Sequence, residues 1–150
     1  MSLIPTSVSV LSCIVGKDIY GCTISSVVSV NIDESKPEIL FVLKKDSKIA
    51  QLISDYRFFT INLLADSQVD MAKKYSSFRI PDSVADSSWR VEDSFADLKE
   101  SRLNIRCAFS NKYDSHASDI FIGTAISFYE TPSSKALIYN HRIYGNFRPI

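Results

Sequence analysis

Only two stretches of this chain carry a helical period, and both are short. Residues 46–56, "DSKIAQLISDY", set Ile49, Leu52, Ile53 and Tyr56 at i, i+3, i+4 and i+7 behind Asp46 or Ser47 as an N-cap. Residues 68–77, "QVDMAKKYSS", follow Asp66 or Ser67 and turn Val69, Ala72 and Tyr75 inward. The other apolar segments are strand-length runs rich in β-branched and aromatic residues: 7–15, 19–32, 38–45, 57–65, 102–113, 119–130 and 136–147. Seven strands against two short helices leave little choice of architecture. The expectation is a mainly β, antiparallel domain closed into a barrel, with the helices plugging an end or covering an edge.

Turn chemistry divides the runs. Gly16-Lys17-Asp18 separates the first two strands, and "TPSSK" separates the last two. "EILFVLKK" is almost unbroken in its apolar character and reads as a buried strand. In "RLNIRCAFSNKY", Leu103, Ile105, Cys107 and Phe109 alternate with Arg102, Asn104 and Arg106, so one face is core. The stretch "FRIPDSVADSSWRVEDSF" has no period; it is expected to be a long loop anchored by Phe78, Ile80 and Trp89.

At 150 residues the chain has the size of one domain, 1–150, with one proper core. Lys plus Arg and Asp plus Glu balance at 17 each, which gives no electrostatic reason to expect nucleic acid or an anionic membrane as partner. Cys13, Cys22 and Cys107 are odd in number, lack C-x-x-C spacing and sit in apolar runs, as buried thiols do in a reducing compartment. No Lys or Arg precedes Lys17, and no run approaches a membrane-spanning length, so a cytoplasmic location is expected. His116 and His141 have no metal-like spacing, and neither a nucleophile elbow nor a Gly-rich phosphate loop occurs.

The chemistry concentrates elsewhere. In "YGCTISSVVSVN", Ile24, Ser26, Val28 and Val30 share one face, and Thr23, Ser25, Val27, Ser29 and Asn31 share the other. Small hydroxyls stand where a solvated strand would show long charged side chains. Either they line a wet edge or they form a wall for a flat ligand rich in hydrogen-bond acceptors. In "LKKDSK" a buried strand runs into a capped helix, so Lys44, Lys45 and Lys48 surround a helix start that already favours an anion. A phosphate would fit there, and so would a solvated lysine-rich junction. Asn62, in "FFTINLLA", either bonds a neighbouring loop or reaches the same polar ligand.

Taken in order, "PTSVSVLS", "YGCTISSVVSVNID", "PEILFVLKKDSKIAQLI", "FFTINLLADSQVDMAKKYS", "DIFIGTAISF" and "LIYNHRIYGNF" resemble the short-chain flavin reductase-like family of the FMN-binding split barrel. That resemblance implies an antiparallel Greek-key split β-barrel that forms a homodimer, with one flavin per subunit near the interface. It implies FMN or FAD as cofactor and NAD(P)H as co-substrate, in a reductase that supplies reduced flavin to a monooxygenase. The alternative is a flavin-binding protein with an electron-transfer, sensing or storage role. Carried over by position, Thr23, Ser25, Ser26 and Ser29 would face the ring and ribityl chain. Lys44, Lys45, Ser47 and Lys48 match the phosphate segment, and Asn62 matches the residue that closes the pocket. Family members often carry Asp-His before the I-x-x-G strand; here Ala117 and Ser118 occupy that register and His116 lies two residues early. His116, Ser118 and Tyr144 are thus the residues expected to border the nicotinamide.

Overall fold

The computed structural model describes residues 3–31, 33–77 and 80–150. Strands β1 (Thr6–Ser7), β2 (Ser9–Val15), β3 (Asp18–Ile24), β4 (Val28–Asn31) and β5 (Glu38–Lys44) precede helix α1 (Lys48–Tyr56). Strand β6 (Phe58–Leu63) leads through a 3-10 turn, Asp66–Gln68, into α2 (Val69–Lys74). There follow β7 (Asp82–Ser83), β8 (Trp89–Glu92), β9 (Phe95–Leu98), β10 (Leu103–Asp114), β11 (Ser118–Glu130), β12 (Leu137–Asn140) and β13 (Ile143–Asn146).

The main sheet runs β4-β5-β11-β10-β6-β2-β3-β7, antiparallel throughout, the mainly β architecture expected from the strand pattern and the split barrel that the resemblance implies. Its centre is aromatic. Phe41 lies directly opposite Phe121 in the β5–β11 register, their rings stacked at 5.4 Å, with Phe59 meeting Phe41 edge-on at 5.2 Å. Gly123 makes room for this cluster, because a Cβ there would come within 2.6 Å of the Phe59 ring. Helix α1 plugs the barrel with Ile49, Ala50, Leu52 and Ile53. Ser47 is its N-cap, its Oγ accepting from the Ala50 amide at 3.3 Å, and Arg57 ends it in the left-handed region. Tyr56, expected on the buried face, is half exposed because the helix has already left the core there.

Three expected elements divide differently. The second strand breaks at residues 25–27: β3 stays beside β2, whereas β4 pairs with β5 at the opposite edge of the sheet. The face expected to be core along β4 is consequently open, with Val28 and Val30 more than half exposed. The expected loop contains a hairpin, β8–β9, in register from Trp89↔Leu98 to Glu92↔Phe95. Trp89 anchors it, but Ile80 is 81% exposed and anchors nothing; Phe78 lies outside the described residues. The last strand is also a hairpin, β12–β13, whose turn residues His141 and Arg142 both have positive φ without the usual Asn or Gly. At the second helix neither Asp66 nor Ser67 caps by side chain; instead the Ala65 amide donates to Gln68 Oε1 at 3.0 Å.

The β8–β9 hairpin is held on the barrel by a polar seam. Side chains alternate along β6, so Phe59 and Ile61 enter the core while Thr60 and Asn62 face the hairpin. Asn62 is fully buried and saturated: its Nδ2 donates to Val10 O (2.9 Å) and Ser12 Oγ (3.0 Å), and its Oδ1 accepts from the Leu98 amide and Asn104 Nδ2 (both 2.8 Å). Ser12 Oγ donates to Ala96 O at 2.6 Å, and Thr60 Oγ1 to Asp97 Oδ1 at 3.3 Å. Asp97, also buried, accepts from Arg90 and Arg106, each with a 2.8 Å contact. We expect Asn62→Ala to destabilise the fold by about 2–4 kcal/mol, because it strands several buried donors and acceptors at once. Urea unfolding checks this; a loss below about 1 kcal/mol would mean that water replaces the amide at little cost.

Candidate functional site

The main sheet does not close by backbone pairing between its two ends. Where the chain crosses from β3 to β4, Ser26 Oγ accepts from the Val42 amide at 2.9 Å and donates to the Val42 carbonyl at 3.3 Å. A cavity of about 650 Å³ opens along this seam, within the range of about 300–1,000 Å³ usual for small-molecule sites. Its floor is β3 and the crossing, residues 19–26. One wall is the end of β5 and the start of α1, and the other is formed by residues 75–77 and 80–82.

Of the expected hydroxyl residues, Thr23, Ser25 and Ser26 line this cavity and Ser29 does not. Thr23 also ties the floor to α2: its amide donates to Tyr75 O at 2.9 Å and its Oγ1 to Ala72 O at 2.8 Å. Ser29 is carried away by the strand break and lies exposed on β4. Of the lysine cluster, Lys44 and Lys48 line the cavity beside Ser47, the N-cap of α1.

Lys45 turns elsewhere. β5 ends at Lys44, and Lys45 stands in the turn that follows, which the Ser47 amide closes by donating to Lys44 O at 3.1 Å. There its ammonium pairs with Asp114 and lies 3.8 Å from Asp119, while its amide donates to Ala117 O. The Asp114 hydrogen bond holds the Lys45 ammonium above the usual lysine value. Lys45 is therefore a tie between β5 and the β10–β11 hairpin and does not reach the cavity. Asn62 is likewise not a cavity residue; all its polar atoms serve the seam beneath β9.

The expected nicotinamide residues do not converge. His116 is exposed in the turn between β10 and β11, and Ser118 begins β11 directly opposite Lys44, half buried. Tyr144 belongs to the separate β1-β12-β13 sheet, where its ring packs 5.0 Å from that of Tyr139 and burial pushes its phenol up.

Several cavity residues were not foreseen. Gly21 sits in mid-strand, a position that often marks close approach, and a Cβ there would fall 2.6 Å from the Tyr75 ring. Tyr75 is held in turn by Asp82, which accepts hydrogen bonds from the Tyr75 hydroxyl, Trp89 Nε1 (3.0 Å) and Lys74 Nζ (3.3 Å). Burial works against the Asp82 carboxylate, but Tyr75, Trp89 and Lys74 outweigh it and keep its carboxyl below the usual range. Cys22 also lines the cavity, and burial raises its thiol although Lys44 works in the opposite sense.

The chain is 24% identical over 151 residues to the NADH-dependent FMN reductase AsuE2 of Streptomyces nodosus subsp. asukaensis, covering 95% of this chain and 78% of that protein. The NADH:FAD oxidoreductase SgcE6 of Streptomyces globisporus C-1027 superposes with a TM-score of 0.87 at 21% identity, over 99% of this chain and 89% of that one. The flavin reductase of styrene monooxygenase from Pseudomonas putida S12 gives 0.87 at 20%, over 99% and 96%. Residues 1–148 match the flavin reductase like domain from end to end, and the chain belongs to that family.

Proposed function

We propose that residues 1–150 act as one NAD(P)H-dependent flavin reductase unit that binds FMN, or FAD, at the barrel seam and supplies reduced flavin to a monooxygenase. The observation that carries this reading is the make-up of a single cavity: Thr23 on β3 with Ser25 and Ser26 in the break that follows it, next to a capped helix start flanked by Lys44 and Lys48. An isoalloxazine ring needs donors that do not fill its space, and its phosphate needs cations and free amides. The residues present fit both needs. Ser25 would donate to the ring or ribityl oxygens, Ser26 would border them with its proton kept on the Val42 carbonyl, and Lys44 and Lys48 at the start of α1 would hold the phosphate. Apolar side chains of Ile24, Val42 and Pro81 exclude water from the same space. Bound flavin would supply the hydride-accepting chemistry, which is why the chain itself needs no acid, base or nucleophile motif.

Relatives with the same fold support the monooxygenase role: one is named as the flavin reductase of styrene monooxygenase and another, BorF, as the reductase component of a bacterial two-component tryptophan halogenase. A second reading, a flavin-binding protein for electron transfer, sensing or storage, draws on one observation. His116, in the β10–β11 turn, and Tyr144, on the separate β1-β12-β13 sheet, both lie away from the cavity lining. A reducing cytoplasm suits the unpaired Cys13 and Cys107, whose burial lifts their thiols to about 11 and about 12. No helix among the described residues is long and apolar enough to cross a membrane.

The unit is a homodimer in this reading. Val28 and Val30 on the edge strand β4, together with Ile126 and Phe128 where β11 runs past the end of β5, leave an apolar edge more than half exposed. Burying such an edge against a second copy would stabilise both.

Purified protein should bind FMN and oxidise NADH or NADPH when flavin is added; binding without oxidation would favour the second reading. Lys48→Ala combined with Lys44→Ala should weaken FMN roughly ten-fold and riboflavin little, since riboflavin has no phosphate. Lys45→Ala should leave both flavins unchanged, as measured by fluorescence titration. Phe128→Glu should convert a sedimenting dimer to monomer; a wild-type chain that is monomeric at micromolar concentration would remove the dimer from the proposal.

A further inference from the structure

The cavity wall opposite the lysines is built without a long element. Residues 75–77 end a helix of six residues, and β7 contributes only two residues to the sheet, pairing Ile19↔Asp82 and Asp18↔Ser83. Beyond the Thr23 amide on Tyr75 O and the short β7 pairing, this wall has little backbone bonding to the barrel, so side chains help set its position. The Tyr75 ring presses on the bare backbone of Gly21, Trp89 meets that ring edge-on at 5.9 Å, and Lys74 Nζ lies 5.0 Å above it. The hydroxyl of Tyr75, the indole N–H of Trp89 and the ammonium of Lys74 all approach the same oxygen, Asp82 Oδ2. Tyr75 and Asp82 both line the cavity, and Trp89 stands behind them in the second core.

We propose that Asp82 is a positioning residue for the cavity: by gathering Tyr75, Trp89 and Lys74 on one carboxylate oxygen, it fixes the Tyr75 ring against Gly21 and so sets the affinity for the bound ligand. The inference rests on the flavin reading for the identity of that ligand. Asp82 acts through Tyr75, not through the reacting atoms. A carboxylate suits this task better than an amide. An ionised oxygen accepts from several donors at once, and each such bond is stronger than its neutral counterpart. Gly21 completes the arrangement, since any side chain there would push the ring out of the position that Asp82 holds.

Two substitutions separate positioning from mere support of the fold. Asp82→Asn keeps the shape and loses the charge; Tyr75→Phe keeps the ring and its packing and loses only the hydroxyl. Each should weaken FMN about ten-fold, the size of one charge-assisted hydrogen bond. The double variant should be no weaker than the worse single, because both remove the same link. Trp89 is the chain's one tryptophan, so its emission reports the network directly: it should shift in Asp82→Asn and stay near wild type in Tyr75→Phe. If the role were structural alone, melting temperature would fall while FMN affinity of the folded protein held. Unchanged FMN affinity in Tyr75→Phe, or additive losses in the double variant, would overturn the inference even if Asp82→Asn failed to fold. A wild-type protein that binds no FMN would overturn the flavin reading and this inference with it, whereas binding indifferent to both substitutions would overturn this inference alone.

Discussion

Ser26 does with one hydroxyl what a ladder of backbone bonds does elsewhere in the barrel. It takes the Val42 amide and returns its proton to the Val42 carbonyl, at the point where the chain leaves β3 and crosses to β4. A buried or half-buried amide needs a partner, and a serine supplies donor and acceptor in the space of one methylene. The bond carries the β4–β5 register, Val28↔Leu40, one step further toward β3, so the crossing chain is tied to β5 by a side chain where the backbone pairing stops. Beyond Ser26 the cavity lies between β3 and the end of β5.

The opposite side of the barrel solves a related problem with the same residue types. The β8–β9 hairpin brings backbone groups of Ala96 and Leu98 down onto β2, β6 and β10, and these groups lose water as they arrive. Ser12, Asn62 and Asn104 receive them, and Thr60 donates to the Asp97 carboxylate between them. Burying Asp97 beneath the hairpin is costly in isolation. Arg90 and Arg106 offset that cost, with Arg106 also reaching Glu92 at 2.8 Å. Polar residues on barrel strands therefore have two different destinations in this chain, a seam that is filled and a seam that is open. Their chemistry does not distinguish them.

That ambiguity marks the limit of what could be read from the sequence. Helix α1, its Ser47 cap and the alternation along β10 follow from local spacing, and the structure has them where spacing puts them. Thr23, Ser25, Ser26, Lys44, Ser47 and Lys48 are brought to one cavity because they lie within a few residues of two junctions that face each other. Ser29 is not, because a break in a strand leaves no period-two signature once three residues intervene. Lys45 was grouped with Lys44 by adjacency, yet the strand ends between them, and the partner that captures Lys45, Asp114, is 69 residues away. Asn62 could be narrowed to a loop or a ligand but no further, since the loop in question is a hairpin whose sequence, "WRVEDSFADL", looks polar and aperiodic. The Tyr75–Asp82 wall left one trace, Gly21 in mid-strand, and that trace says only that something comes close.

The two cavity walls also differ in what anchors them. Ile24, Leu43 and Ile49 belong to the barrel core, so the floor and the lysine wall can move only if that core opens. Tyr75 belongs to the second core, with Trp89, Ile19 and Leu137, and its wall is tied to the barrel through Gly21, Thr23 and the short β7 pairing. A ligand spanning the cavity would touch residues of both cores. Binding stabilises whatever conformation presents the complete site, by an amount set by ligand concentration over its dissociation constant. The second core holds fewer strands of the main sheet and depends more on side-chain links, so it has the most to gain. Occupancy would thus tighten the less firmly tied half of the molecule against the firmer one, with the Ser26 seam as the fixed line between them.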